Sequence, residues 1–173
     1  MEVFEKTEQP KIAETKQKKH EIPQGLWVKC KQCGEMLFAK ELAANLKVCA
    51  KCDYHFSMTS GERVLSLIDE GTFRETDTDL VSVDTLKFTG VAAYTDRLKA
   101  YQRQTGLNDA VITGVGKMQG HDVALAVMDF SFLGASMGSV VGEKITRSIE
   151  LATELKVPSI VVSTSGGARM YEG

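Results

Sequence analysis

Cys30-Lys31-Gln32-Cys33 and Cys49-Ala50-Lys51-Cys52 are two C-x-x-C knuckles with fifteen residues between them, and they decide the fold of the front of this chain. Each knuckle offers two thiolates to one metal ion, and four thiolates complete a tetrahedral zinc site with no open position. A closed site of this kind is structural, because catalysis needs room for water or substrate. A ribbon of roughly 30 residues has too small a core to fold alone, so metal binding must supply folding energy. Lys29, Lys31, Lys47 and Lys51 surround the cysteines and would offset the double negative charge of a zinc tetrathiolate. Two disulfides are the competing pattern, but the chain shows no secretory signal. Thioredoxin-like redox chemistry is the other, but neither knuckle opens a helix after a strand. His55, three residues past Cys52, is read as a surface histidine rather than a fifth candidate ligand.

Beyond the cysteines the pattern changes to an α/β core. Thr59-Ser60-Gly61-Glu62 fits a capping box, followed by Val64, Leu65 and Ile68 at helical spacing, with Gly71 as the expected stop. A second helix is expected over Tyr94–Thr105, with Leu98 and Tyr101 on one face and Gly106 ending it. Ala110–Val115 and Val123–Met128 are short valine-rich runs around a Gly120-His121-Asp122 turn, which predicts a hairpin. Gly138–Lys156 reads as a helix whose apolar stripe is Val141, Ile145, Ile149, Ala152 and Leu155, with Glu143, Arg147, Glu150 and Glu154 on the wet side. Pro158 stops it, and Ser159–Ser163 reads as a buried parallel strand. Strand, helix and strand in this order imply an α/β fold.

Composition sets outer bounds. Of 173 residues, 43% are apolar and 25% charged, which is globular rather than disordered. The net charge of −2 gives no global basic field to attract nucleic acid or an anionic membrane. No apolar run approaches the roughly 20 residues that span a bilayer. The polar residues Met1–His20, with their Lys16–Lys19 cluster, read as a solvated, mobile arm, and a cytoplasmic location is expected.

Three glycine-rich stretches are candidates for chemistry. Gly114-Val115-Gly116 with Gly120 has the wrong spacing for a dinucleotide fingerprint and precedes a strand, so a hairpin turn accounts for it. Gly134-Ala135-Ser136-Met137-Gly138-Ser139 joins a strand to a helix start, where free N–H groups and the helix dipole can hold an anion. Close packing of the helix on the sheet explains the same small residues equally well. Ser163-Thr164-Ser165-Gly166-Gly167-Ala168-Arg169-Met170 follows a strand, and consecutive glycines can aim adjacent N–H groups into a site, as an oxyanion hole requires. A plain strand-to-helix turn is the alternative. Ser165 as a hydrolytic nucleophile is disfavoured, since the run is not G-x-S-x-G and all three histidines lie upstream.

Taken in order, Pro23–Cys30-x-x-Cys33-Gly34, Val48-Cys49-x-Lys51-Cys52-Asp53-Tyr54-His55, Thr105-Gly106-Leu107-Asn108-Asp109-Ala110, Gly134–Lys144 and Ser165–Met170 resemble the β subunit of the bacterial and plastid type acetyl-CoA carboxylase carboxyltransferase. The resemblance covers nearly all of Ile22–Gly173. Ala135 stands where that family often has glycine, and the family continues for about as much sequence again past Gly173.

The resemblance implies a mobile arm over 1–25, a zinc ribbon over 26–57, a helical linker over 58–107, and over 108–173 the first part of a crotonase-like ββα superhelix. It implies carboxyl transfer from carboxybiotin, borne on a biotin carrier protein, to acetyl-CoA, giving malonyl-CoA for fatty-acid synthesis. The implied partners are an α subunit in an α2β2 heterotetramer, biotin carboxyl carrier protein and biotin carboxylase, and ATP binding, with nucleotide binding generally, is expected of the protein. Gly166 and Gly167 N–H become the expected oxyanion donors, with released biotin rather than a side chain as base. Ser136, Met137, Gly138 and Arg169 are the candidate substrate contacts, Arg169 either on a CoA phosphate or in a structural ion pair. An incomplete core would expose apolar edges, so these 173 residues alone are expected to have little activity. Two other readings remain at this stage. One is a nucleic-acid-binding ribbon using Trp27, Lys29 and Lys31, whose affinity would fall steeply with salt. The other is an inactive truncated remnant.

Overall fold

The structure, a computed structural model, describes residues 25–172; apart from Gly25, the expected N-terminal arm lies outside them. The described residues divide into two compact units, 25–54 and 55–172. In the first, β1 (Trp27–Lys29) and β2 (Met36–Phe38) form an antiparallel pair, followed by the short helix α1 (Ala39–Ala44). Trp27 and Phe38 sit opposite each other with ring centroids 5.5 Å apart, and Leu42 is buried.

The second unit is built on a four-stranded sheet of order β3-β4-β5-β6. β3 is Arg74–Thr76, β4 Val111–Met118, β5 His121–Met128 and β6 Ser159–Val162. The first two pairings are antiparallel and β5–β6 is parallel. Helices α2 (Ser60–Leu67), α3 (Tyr94–Thr105) and α4 (Ser139–Leu155) pack around it. β5 explains the layering. Its Val123-Ala124-Leu125-Ala126-Val127-Met128 alternates large and small residues, and every one is buried. Because strand side chains alternate faces, Val123, Leu125 and Val127 meet Val64 of α2 and Ile68 just past its end, while Ala126 and Met128 join Tyr94, Leu98, Phe132 and Val141.

The capping box forms as expected: Glu62 N–H donates to Thr59 Oγ1 (3.2 Å) and Thr59 N–H to Glu62 Oε2 (3.0 Å). The helix ends at Leu67, however, so Gly71 belongs to the following turn, and Leu65 is exposed. α3 has the expected limits and ends on left-handed Gly106. The hairpin turn is Gln119-Gly120 rather than Gly120-His121-Asp122. Both turn residues have positive φ (52° and 82°), as a two-residue loop matching strand twist requires. The Asp69 carboxylate accepts both of their N–H groups, at 3.0 and 2.8 Å.

Four other expectations are corrected. Residues 58–107 are not a linker: β3 pairs with β4, and Tyr94 and Leu98 are core residues. Gly114 and Gly116 lie inside β4, where a Cβ on Gly114 would come within 2.4 Å of the Arg74 carbonyl and one on Gly116 within 2.8 Å of Ile68. They are glycines because β3 and α2 approach closely. The α4 stripe is rotated: Val140, Val141, Lys144, Ser148 and Ala152 are buried, while Ile149 and Leu155 are exposed. Burial pushes the Lys144 ammonium below its ordinary value, against the opposing field of Glu75, Asp77 and Asp109. Finally, β6 is parallel but not buried. It is the last strand in the sheet order, and Ser159 and Val161 face solvent. No helix among the described residues is long and apolar enough to cross a membrane.

Candidate functional site

The two knuckles are built alike. In the first, Cys30 N–H donates to Glu35 O (2.8 Å) and Gly34 N–H to Cys30 O (3.0 Å). In the second, Cys49 N–H donates to Tyr54 O (2.8 Å) and Asp53 N–H to Cys49 O (2.9 Å). Gly34 and Asp53 both turn the chain through positive φ, 76° and 56°. These loops place all four Sγ atoms within 4.8 Å of one another, with Cys30–Cys52 at 3.7 Å and Cys33–Cys49 at 3.8 Å. Zinc–sulfur bonds of about 2.3 Å in a tetrahedron require edges of about 3.8 Å. The residues therefore fit a zinc ion, held by Cys30, Cys33, Cys49 and Cys52, in a structural role. Without a cation the four sulfurs cannot all ionise: burial and the neighbouring sulfurs push Cys52 up to about 12, while Cys33 and Gln32 N–H groups outweigh burial at Cys30 and bring it to about 7. His55 is exposed and outside the sulfur cluster. Lys51 pairs with Glu35.

The other candidate centre joins the loops that follow β5 and β6. Asp129, at the end of β5, is buried. Its carboxylate accepts Ser60 N–H (2.6 Å) and hydroxyl (2.8 Å) on one oxygen and Ser131 N–H (2.9 Å) and hydroxyl (2.5 Å) on the other. Burial pushes its pKa up, but these four donors outweigh it and hold it below the usual value. From this anchor the chain runs through a short 3₁₀ turn, Leu133–Ala135, to Met137. There it meets the second loop in a one-residue parallel bridge: Met137 N–H donates to Gly167 O and Arg169 N–H to Met137 O, both at 2.9 Å.

This bridge determines which N–H groups are available. Gly166 N–H donates to Gly134 O (2.8 Å) and Gly167 N–H to Ser165 Oγ (3.0 Å). Both expected oxyanion donors are thus engaged within the protein. Ala168, between the two bridge bonds, directs its own N–H away from Met137, and that N–H has no acceptor among the described residues. Ser165 Oγ is also tied, donating to Ala135 O at 2.9 Å.

Arg169 is buried with no solvent access to its side chain. Its Nη2 donates to Asp109 Oδ1 (2.6 Å) and its Nη1 to Asp109 Oδ2 (3.1 Å). Further bonds reach Ser82 Oγ (3.0 Å), Tyr94 Oη (3.1 Å), Glu172 Oε1 (3.2 Å), Ser136 Oγ (3.2 Å) and Ser136 O (2.9 Å). Burial opposes its charge, but Asp109 outweighs it and raises the guanidinium pKa above its ordinary value. Of the two roles open to Arg169, the structure assigns the structural ion pair. Ser136 is a partner of that arginine rather than a free substrate contact, and Met137 keeps a half-exposed side chain.

The anion position at the start of α4 is filled from within. Glu172 Oε2 accepts Ser139 N–H (2.6 Å) and hydroxyl (2.8 Å), while Oε1 accepts the Tyr94 hydroxyl and Arg169. Burial pushes the Glu172 pKa up, but Tyr94 and Ser139 outweigh it and bring it to about 2. Tyr94, buried and facing that carboxylate, is pushed up to about 12. A Cβ on Gly138 would lie 2.7 Å from both Glu172 oxygens, so Gly138 makes room for a carboxylate. Asp109, Ser82, Tyr94 and Glu172 were not among the expected site residues. The one signal for them was a lone arginine in a glycine-rich turn, which needs a carboxylate if buried. A concavity of about 370 Å³ beside Arg74, Lys117 and Leu155 shares no residue with these loops.

Comparison with known proteins gives the class. Residues 57–173 match the family described as "Carboxyl transferase domain", and residues 27–52 match "Acetyl-CoA carboxylase zinc finger domain". The 12S transcarboxylase crystal structure, solved with methylmalonyl-coenzyme A bound, superposes with TM-score 0.54 at 28% identity over 68% of this chain and 21% of that one. A single-chain long-chain acyl-CoA carboxylase shares the fold, with TM-score 0.52 at 18% identity over 65% of this chain and 11% of that one. Fold and metal centre thus define a carboxyltransferase-type protein of crotonase-like architecture carrying a zinc ribbon.

The chain is 53% identical to the chloroplastic acetyl-coenzyme A carboxylase carboxyl transferase subunit beta of Pyropia yezoensis, over 88% of this chain and 53% of that protein. It is 56% identical to the subunit beta of Synechococcus sp. (strain RCC307), over 86% and 51%, and 46% identical to that of Desulforamulus reducens, over 100% and 61%. The chain belongs to the family of acetyl-CoA carboxylase carboxyl transferase β subunits, and it spans about half the length of these relatives.

Proposed function

We propose that the protein to which these residues belong transfers a carboxyl group from carboxybiotin to acetyl-CoA, forming malonyl-CoA for fatty-acid synthesis. The observation that carries this is the conjunction, in one chain, of the acetyl-CoA carboxylase zinc ribbon over 27–52 and the carboxyl transferase domain over 57–173. An α subunit in an α2β2 assembly, biotin carboxyl carrier protein and biotin carboxylase are the partners this reading calls for. ATP use is assigned to that complex as a whole. A cytoplasmic location is part of the proposal, supported by four cysteines arranged for metal rather than disulfides.

Bound carboxybiotin supplies the activated carboxyl group and, on its release, a base. This chain's residues do the rest. Loss of a proton from the thioester methyl puts negative charge on the carbonyl oxygen, which needs fixed donors. Ala168 N–H is a donor that the folded turn leaves free among the described residues, while Gly166 and Gly167 N–H hold the turn's shape. Glu172, at about 2 and saturated with donors, is too weak a base for the methyl proton.

The test is malonyl-CoA formation by the full-length protein assembled with its α subunit, using carboxylated biotin carrier and acetyl-CoA. Formation dependent on both subunits supports the reading. No formation, with both subunits folded and zinc-loaded, overturns it.

A further inference from the structure

We propose that Glu172 is a positioning residue, whose carboxylate locks the Ser165–Arg169 turn to the first turn of α4 and so aims the Ala168 N–H; this rests on the reading given under Proposed function. Three observations carry it. First, the carboxylate is shared between three parts of the site: Ser139 at the start of α4, Tyr94 at the start of α3, and Arg169 of the turn itself. Second, the fold leaves a place for it, because Gly138 lacks the Cβ that would meet both oxygens at 2.7 Å. Third, Glu172 N–H donates back to Arg169 O (3.2 Å), and Tyr171 stacks on Tyr94 (centroids 5.2 Å), so the residues after the turn are fastened to the same point.

The alternative is that the α4 N-terminus receives a substrate anion. Both of the donors Ser139 offers there are already taken by Glu172, and the carboxylate lies against Gly138. Its bonds instead pull the turn toward α4. With the bridge at Met137, they leave the turn few ways to move. The N–H of Ala168 is useful to a developing oxyanion only if its direction is fixed before the charge forms.

The experiment uses the full-length protein with its α subunit and compares Glu172→Ala, Gly138→Ala, the double variant, and Glu143→Gln as a surface control. Gly138→Ala leaves every charge in place but pushes the carboxylate from its seat. Two readouts are taken. Amide hydrogen exchange at Met137, Gly166 and Arg169 reports the turn directly, without reference to activity. Steady-state kinetics separate kcat from KM for acetyl-CoA.

The expected result is exchange in the turn faster by about tenfold or more in both single variants, with β4 and β5 unchanged. In the same variants kcat falls by about tenfold or more while KM stays within about twofold, because the lost interaction serves the transition state. The double variant should be no worse than either single one, since both remove the same contact. Glu143→Gln should match wild type. Turn exchange within twofold of wild type in Glu172→Ala, or losses that add in the double variant, would overturn the proposal. If the wild-type assembly transfers no carboxyl group, the functional reading falls, and the exchange data alone decide whether Glu172 positions the turn.

Discussion

Arg169 and Asp109 face each other through two parallel N–H···O bonds of 2.6 and 3.1 Å, and neither side chain touches solvent. They lie 60 residues apart, so the pair ties the turn after β6 to the segment before β4. Breaking a buried pair leaves a charge without compensation, which costs more than the intact pair contributes. Asp109→Ala should therefore destabilise the second unit by about 3–5 kcal/mol, as read from urea unfolding. Asp109→Asn with Arg169→Met should lose less than the sum of the single changes, because neither member of this pair is then left charged without the other. Strict additivity would contradict the pairing.

Acid should act on the same cluster through Glu172. Its folded pKa, about 2, lies below the ordinary 4.5 of a glutamate. A depressed carboxylate stabilises fully above its unfolded value and loses that contribution as pH falls toward the folded one. Stability should decline between about pH 4.5 and 2, and Glu172→Gln should flatten that part of the profile. Equal slopes in the two proteins would remove Glu172 from the account.

Metal removal should separate the two units. Structural zinc contributes roughly 10–16 kcal/mol of apparent binding free energy at neutral pH in zinc-finger peptides. Chelation, or Cys49→Ser, should unfold residues 27–54 while the four-stranded sheet keeps its cooperative transition. The check is metal analysis, expected at one zinc per chain, beside a two-phase melt. A single melt, unchanged by chelator, would contradict a metal-dependent ribbon.

The two glycines of β4 should not be equally replaceable. Gly114→Ala would drive a methyl onto the Arg74 carbonyl, a backbone atom that cannot move without disturbing the β3–β4 pairing. Gly116→Ala instead meets a side-chain atom, Ile68 Cγ2, at 2.8 Å, and its nearest backbone atom, Phe73 Cα, lies at 3.4 Å. Overpacking of the first kind costs about 1–3 kcal/mol or more. Gly114→Ala should therefore be the more damaging in thermal melts, and the reverse order would refute the close-approach argument.

Local rules made much of this legible in the sequence. The knuckle spacing located the sulfur site, Thr59 and Glu62 located the start of α2, and Gly106 located the end of α3. What escaped was set by partners distant in the chain. The α4 stripe was read from apolar residues alone, yet Lys144 and Ser148 occupy the buried face, because the helix is oriented by the sheet beneath it. Gly166 and Gly167 signalled a turn, but only the meeting of Gly167 and Arg169 with Met137 decides that Ala168 N–H points away from it, with no acceptor among the described residues. Glu172 carried no local signal, because its donors come from two helices and from Arg169.

The Arg169 cluster also bears on how the chain is made. Of its partners, Ser82, Tyr94, Asp109 and Ser136 all leave the ribosome before Arg169 does, and Glu172 follows it by three residues. Until the arginine emerges, Asp109 cannot be sequestered without stranding its charge. The nascent chain therefore has reason to keep that region open and wet during translation. The core around Tyr94 and Phe132 would then close late, in a step timed by synthesis of the turn rather than by collapse of the sheet.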